Sequence, residues 1–185
     1  MLPTWHLPNK VPEIIIEVRD INHLIENIIP YPADYSTRNG FNNESIINDL
    51  DIDEKILVEE ALIKLLDIHP DDELIIETLA NLKSEKSLPK LYKLLEKSQS
   101  GLFKLKIATT IYQINHDADL IEIAVKETKQ LDNEKDAYNG YKLIAAFYCL
   151  EKFQNDETNS IIMSYTGHDE YLISYNAKRA LKLNS

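Results

Sequence analysis

The residue types in this chain that could do chemistry are histidine with its acidic neighbours, and a single cysteine. Three of the five histidines stand beside acids: His69 opens "HPDDE", His116 lies in "NHDAD" and His168 lies in "GHDE". Imidazole and carboxylate groups together can bind a metal ion such as Zn²⁺. These histidines lack the same-face His-x-x-x-His or Glu-x-x-His spacing that a metal site on helices requires. Histidine after one helix and aspartate before the next are ordinary dipole and capping choices, so we predict helix junctions and no metal site.

The cysteine, Cys149, lies among apolar residues and has no histidine near it in sequence. We therefore expect a buried thiol that does not act as a nucleophile. The chain also lacks a glycine-rich phosphate loop, a nucleophile elbow and a carboxylate pair in surroundings that would perturb its acidity. We predict no catalytic residue and no cofactor, and hence a protein that is not an enzyme.

The elements that must position these residues are helices. Apolar side chains recur at steps of three and four, and no segment sustains period-two alternation, which predicts an all-α fold in a single domain over residues 1–185. The predicted helices span residues 10–29, 44–50, 53–68, 70–82, 88–97, 101–115, 118–131, 137–153, 160–165 and 170–183. Asp51 and Glu54 have the spacing of a capping box. The helix that follows is expected to bury Leu57, Ala61, Leu65 and Ile68, and the role of the turn-rich segment 30–43 stays open.

Three segments of the chain resemble one another: "IETLANL" at 76–82, "ATTIYQI" at 108–114 and "AKRALKL" at 177–183. Each has apolar or small side chains at its first, fourth and seventh positions, and the segments are offset by 32 and then 69 residues. A helix pair that recurs about every 32 to 38 residues indicates an α-solenoid.

At these residues the chain resembles HEAT-like repeat proteins. "LANLKSEKSLPKLYKLLEKS" followed by "GLFKLKIATTIYQIN" matches that family's leucine-rich first helix, short polar turn and alanine-containing second helix, and "YNAKRALKL" repeats the pattern. The resemblance covers residues 54–185 and implies about three to four repeats, with residues 1–53 as an N-terminal helical cap and loop. The stretch "DAYNGYKLIAAFYCLEKF" departs from the pattern, so the bounds of the third repeat stay open. The family implies a curved stack whose second helices line a concave face that holds other macromolecules.

The formal net charge of −11 is concentrated in one part of the chain. Residues 41–80 contain twelve acids and two lysines, whereas residues 81–115 contain seven lysines and two acids. The overall balance argues against non-specific nucleic-acid binding, which depends on neutralising phosphates. A local excess of carboxylates on a folded surface instead favours a basic protein partner.

Two sets of residues are candidates for binding that partner. The acidic candidates are Asp49, Asp51, Asp53, Glu54, Glu59, Glu60, Asp67, Asp71, Asp72, Glu73 and Glu77. Capping and dipole effects account for those at helix starts, and the others form either a solvated face or a docking surface. The aromatic candidates are Tyr112, Tyr141, Tyr148, Tyr171 and Tyr175, because tyrosine buries much area for few rotatable bonds. Spacing places Tyr141 with Tyr148, and Tyr171 with Tyr175, on shared helix faces.

These patterns lead to the hypothesis of a non-enzymatic protein-binding module. In its sharper form the chain is an immunity protein, a bacterial inhibitor that blocks a basic, nuclease-type toxin, and it resembles such inhibitors in small size and local acidity. The alternatives are a HEAT-repeat scaffold or adaptor, a HEAT-like DNA glycosylase that uses the basic segment 81–115, and a helical-repeat lyase or hydroxylase. One cysteine and an N-terminus unlike a signal peptide predict a cytoplasmic location, and we expect no membrane span. The partner's identity and the oligomeric state stay open.

Overall fold

The computed structural model describes residues 21–30, 43–99, 101–132 and 138–183, and within these ranges the regular structure is entirely helical. The α-helices are α1 (Ile21–Ile28), α2 (Glu44–Asn48), α3 (Ile52–Ile68), α4 (Glu73–Asn81), α5 (Leu88–Lys97), α6 (Gly101–Asn115), α7 (Asp119–Asp132), α8 (Asn139–Leu150), α9 (Asp156–Ser164) and α10 (Tyr171–Ala180). Short 3-10 turns at Glu85–Ser87 and Glu151–Phe153 precede α5 and follow α8. The all-α prediction is confirmed. Those parts of the first predicted helix and of segment 30–43 that fall on residues 10–20 and 31–42 lie outside the described residues.

Most helices occupy the predicted segments, and α5 and α6 begin and end where predicted. The exception is α9, which begins at Asp156 rather than at the predicted Ser160. The side chain of Asn155 accepts a hydrogen bond of 2.8 Å from the amide of Glu157 and so caps the helix there. None of the helices in the described ranges is both long and apolar enough to cross a membrane.

The helices pack as neighbours in chain order: α3 contacts α4, α5 contacts α6, α7 contacts α8, and α9 contacts α10. The second members of these pairs also contact one another, α4 with α6, α6 with α8, and α8 with α10. Leu105 and Ile107 of α6 are both fully buried. Because residues two positions apart on a helix point to roughly opposite sides, both sides of α6 are covered. The α6 helix therefore lies between neighbours on both sides.

The buried face of α3 differs from the predicted one. Val58, Leu62 and Leu66 are buried, whereas Leu57 is 41% exposed and Ile68 is 68% exposed. Apolar residues surround most of this helix, so periodicity alone does not choose between adjacent stripes. Packing of α1 and α4 against α3 selects the stripe one residue further along the chain.

The N-terminal helices are joined to the rest by the buried side chain of Asn43. Its amide nitrogen donates to the carbonyl of Ile28 at 3.1 Å and to the hydroxyl of Thr78 at 2.7 Å. The Thr78 hydroxyl in turn donates to the carbonyl of Leu74 at 2.6 Å. One side chain therefore connects the end of α1 to the middle of α4.

We predict that Asn43→Ala lowers the free energy of unfolding by about 1–3 kcal/mol, because the buried carbonyl of Ile28 loses its donor. Urea unfolding followed by helical circular dichroism measures the change. The matched control is Asn48→Ala on the exposed side of α2, expected to stay within about 0.5 kcal/mol of the parent. Equal losses in the two variants would contradict the role assigned to Asn43.

Candidate functional site

A groove of about 400 Å³ crosses the second helices α4, α6 and α8. Glu77 of α4, Lys106 of α6 and Tyr148 of α8 line it. The Nζ atom of Lys106 lies 2.5 Å from Oε2 of Glu73 and 3.7 Å from Oε1 of Glu77. Only 19% of the lysine side chain is exposed, so this cation serves to join α4 to α6.

The protonation of this cluster follows from burial and from the charges that face each other. Burial raises the pKa of Glu77, and Lys106 opposes that rise. Burial alone lowers the pKa of Lys106, but the carboxylates of Glu73 and Glu77 outweigh it, so the pKa is raised. A raised lysine pKa contributes stability that is fully present below the unfolded pKa and is lost as the pH rises through the folded pKa. The ammonium group therefore keeps its charge at neutral pH.

Cys149 lies against the same groove and is buried. Burial raises the pKa of its thiol to about 11, although the nearby Lys106 favours the thiolate. A thiol that stays protonated at neutral pH is a poor nucleophile. The prediction that this thiol is buried is confirmed.

The acidic and basic segments of the chain are neighbours in space. Glu59 of α3 pairs with Lys86 at 3.1 Å, and Asp67 of α3 pairs with Lys90. The ammonium of Lys90 also donates to the carbonyl of Ile63 at 3.0 Å. Glu73 and Glu77 pair with Lys106 in the same way. Four of the acidic candidates thus neutralise lysines that follow them in the chain.

The other acidic candidates divide between helix starts and open surface. The Asp51 carboxylate accepts from the amide of Glu54 at 2.8 Å, and Glu54 accepts from the amide of Asp51 at 3.1 Å, which is the predicted capping box. Asp72 accepts from the amide of Leu74 at 3.0 Å and caps α4. Asp49, Asp53, Glu60 and Asp71 are exposed, and their side chains have no partner among the described residues.

Most lysines of the basic segment are engaged as well. Lys83 donates to a backbone carbonyl of α6 at 2.7 Å. Lys104 lies 3.9 Å from Glu127, whose side chain is only 6% exposed. Lys93 and Lys97 are exposed and, within the described ranges, unpaired. The basic segment therefore does not present all of its charge to solvent.

Two of the tyrosine candidates contribute to packing. Tyr112 is half-buried; its hydroxyl donates to the carbonyl of Phe153 at 3.0 Å, and its ring lies 4.5 Å from the ring of Phe153. The hydroxyl of Tyr148 donates to Oδ1 of Asn176 at 2.6 Å and links α8 to α10. The hydroxyl proton of Tyr112 is therefore used within the chain.

The other three tyrosine candidates are exposed: Tyr141 by 68%, Tyr171 by 74% and Tyr175 by 36%. The rings of Tyr171 and Tyr175 stack, with centroids 5.8 Å apart and planes inclined by 25°. The shared face predicted for this pair is confirmed. Tyr141 and Tyr148 line different grooves.

A second cavity of about 460 Å³, which we call the α8–α10 cleft, opens between the first turns of α8 and α10. Its lining includes Asp132, Tyr141, His168, Glu170 and Leu172. The Glu170 carboxylate lies against α8, because a Cβ placed on Gly140 would be 3.6 Å from its Oε2. Asp132 and Glu170 were not among the sequence candidates; the nearest signal was the tyrosine pair that follows Glu170.

Two of the side chains that line the α8–α10 cleft, Asp132 and His168, have polar neighbours. Burial, together with the nearby carboxylate of Asp132, raises the pKa of Tyr165. The Nδ1 atom of His168 accepts from the amide of Glu170 at 3.0 Å, which assigns the proton of the neutral ring to Nε2.

The histidines near acids lie at helix junctions, as predicted. His69 ends α3 and Asp72 caps α4. His116 follows α6, and the Asp117 carboxylate accepts from the amide of Asp119 at the start of α7. In the part of the chain that the structure describes, no group of three or more His, Cys, Asp or Glu side chains could hold a metal ion.

We predict that Lys106→Met lowers the free energy of unfolding by about 1–3 kcal/mol at neutral pH, because Glu73 and Glu77 then face each other without a cation. The loss should shrink at acidic pH near the ordinary carboxylate pKa values, since protonation of Glu77 relieves the repulsion. Urea unfolding at the two pH values measures both effects. The exposed control Lys93→Met should change stability by less than about 0.5 kcal/mol, and an equal Lys106→Met loss at both pH values would contradict this reading.

No protein-family model, curated protein or solved structure matches the chain.

Proposed function

We propose that this chain is a non-enzymatic protein-binding module in which HEAT-like helix pairs stack into a solenoid. The order of the helix contacts supports the stack, because α4, α6, α8 and α10 meet in chain order, as second helices of successive repeats do. The contacts of α1 with α3, and of α2 with α4, support a role for α1 and α2 as an N-terminal cap.

The observation that carries the binding role is a group of large exposed side chains on α8 and α10 and just before α8. We call this group the tyrosine surface; it comprises Tyr138, Tyr141, Tyr171, Leu172 and Tyr175, which are 36–74% exposed. Exposed apolar and aromatic area of this kind marks interaction sites, and tyrosine is enriched among the residues that dominate binding energy. The tyrosine surface is therefore the proposed docking site.

The charge around the tyrosine surface favours a basic partner. Asp132 and Glu170 line the cleft beside Tyr141, and Asp169 is exposed next to them. The net charge of −11 adds a long-range attraction for cations. The DNA-glycosylase alternative is disfavoured, because lysines that it would use, such as Lys86 and Lys90, lie in ion pairs with α3.

In its sharper form, the proposal is that the partner is a basic, nuclease-type toxin and that the chain is its immunity protein. A small inhibitor needs only a tightly bound surface that covers the toxin's substrate groove, and carboxylates can occupy the places of substrate phosphates. Opposite charges speed such an encounter and raise the association rate. A scaffold or adaptor would use the same surface without this inhibitory effect.

We predict that the parent chain captures a basic protein from extracts of its source cells and that the double variant Tyr171→Ala/Tyr175→Ala retains less than about a tenth of it. Quantitative mass spectrometry of the captured proteins measures the ratio. The control is Ile52→Ala, which removes a 77% exposed apolar side chain from α3 and should leave capture unchanged. The proposal fails if the tyrosine variant captures the same proteins as the parent.

We further predict that the chain restores growth of cells that express a basic toxin domain encoded beside it, and that the double tyrosine variant does not. Colony counts with and without induction of the toxin measure the rescue. Absence of rescue by the parent chain rejects the immunity role. If the parent chain does not restore growth but still captures a basic cellular protein, the scaffold or adaptor function is favoured.

A further inference from the structure

The α8–α10 cleft combines negative charge with an aromatic wall. Asp132 and Glu170 both line it, and no lysine or arginine of the described residues does. The helix dipoles oppose this negative charge, because the N-terminal ends of α8 and α10 each carry a partial positive charge of about half a unit. Two carboxylate charges outweigh two half charges, so the cleft favours a cation.

The size and the lining of the cleft favour a single cationic side chain with a planar head group. The cleft volume of about 460 Å³ falls in the lower part of the range of roughly 300–1,000 Å³ for small-ligand pockets, which suits a single side chain better than a helix. The Asp132 carboxylate lies near the hydroxyl of Tyr165, and the Glu170 carboxylate lies against the first turn of α8, so both acceptors have neighbours that face the cleft region. A guanidinium group can stack on a tyrosine ring and donate several N–H groups to carboxylates at the same time.

We propose that the α8–α10 cleft binds an arginine side chain of a protein partner. The carboxylates of Asp132 and Glu170 accept N–H groups of the guanidinium, and the ring of Tyr141 packs against its plane. The inference rests on the proposed function in assigning the arginine to a protein partner. The affinity of the cleft for a guanidinium group can be tested before that partner is known.

The test is an NMR titration of the isotope-labelled full chain with Nα-acetyl-arginine methylamide. The uncharged Nα-acetyl-citrulline methylamide has nearly the same shape and serves as the comparison ligand. We expect saturable amide shifts centred on residues that line the cleft, such as Gly140 and Leu172, for the arginine derivative alone. Equal affinity for the citrulline derivative, or shifts centred on the acidic residues of α3, would overturn the proposal.

A pair of neighbouring variants separates a local contact from a general charge effect. Glu170 makes no side-chain capping bond to α10, so Glu170→Gln should preserve the helix. We expect it to weaken binding of the arginine derivative about fivefold, whereas Asp169→Asn, an exposed carboxylate that does not line the cleft, should change it by less than about twofold. Equal weakening by the two variants overturns the proposal.

The outcomes also separate this inference from the proposed function. If the arginine derivative binds in the cleft but no basic protein is captured, the arginine site is supported and the proposed protein-binding function is rejected. If capture depends on Tyr171 and Tyr175 but the arginine derivative does not bind in the cleft, only the arginine site is rejected and the protein-binding function stands.

Discussion

Burial of α6 on opposite sides is the constraint on which the rest of the structure depends. Leu105 and Ile107 are both fully buried, so the helix needs neighbours on both sides. Its contacts with α4, α5, α7 and α8 supply them. Burying each such side chain contributes about 1.5–3 kcal/mol, whereas an exposed ion pair contributes about 0–1 kcal/mol. Apolar contact therefore sets the order of the helices, and the charged residues adapt to it.

That order explains why acidity in the sequence does not translate directly into acidity on the surface. Neighbouring helix pairs lie side by side, so the acids of α3 and α4 meet the lysines of the next pair. Glu59 with Lys86 and Glu73 with Lys106 are two such contacts. Lysines of the same chain neutralise part of the local negative charge. The carboxylates that remain exposed to solvent are the ones available to a partner.

The tyrosines show how position among the helices separates packing from exposure. The hydroxyl of Tyr148 reaches Asn176 on the adjacent helix and is satisfied there. Tyr171 and Tyr175 lie on α10, the last described helix, and their rings stack on each other while remaining exposed. Beside them, helices distant in sequence bring two carboxylates to one cleft. A surface that is aromatic and negatively charged in the same place suits a cationic partner better than either feature alone.

The sequence by itself determined the features that depend on residues close along the chain: the all-helical class, the bounds of α5 and α6, and the Asp51–Glu54 capping box. The cap at Asn155 is also a local signal, although the polar residues around it are typical of a loop between helices. Only the tertiary structure decided which stripe of α3 is buried and that Asp132 and Glu170 line one cleft. Capping and periodicity act over one or two helical turns, whereas burial and charge pairing depend on which helices meet, and helical spacing does not specify those contacts.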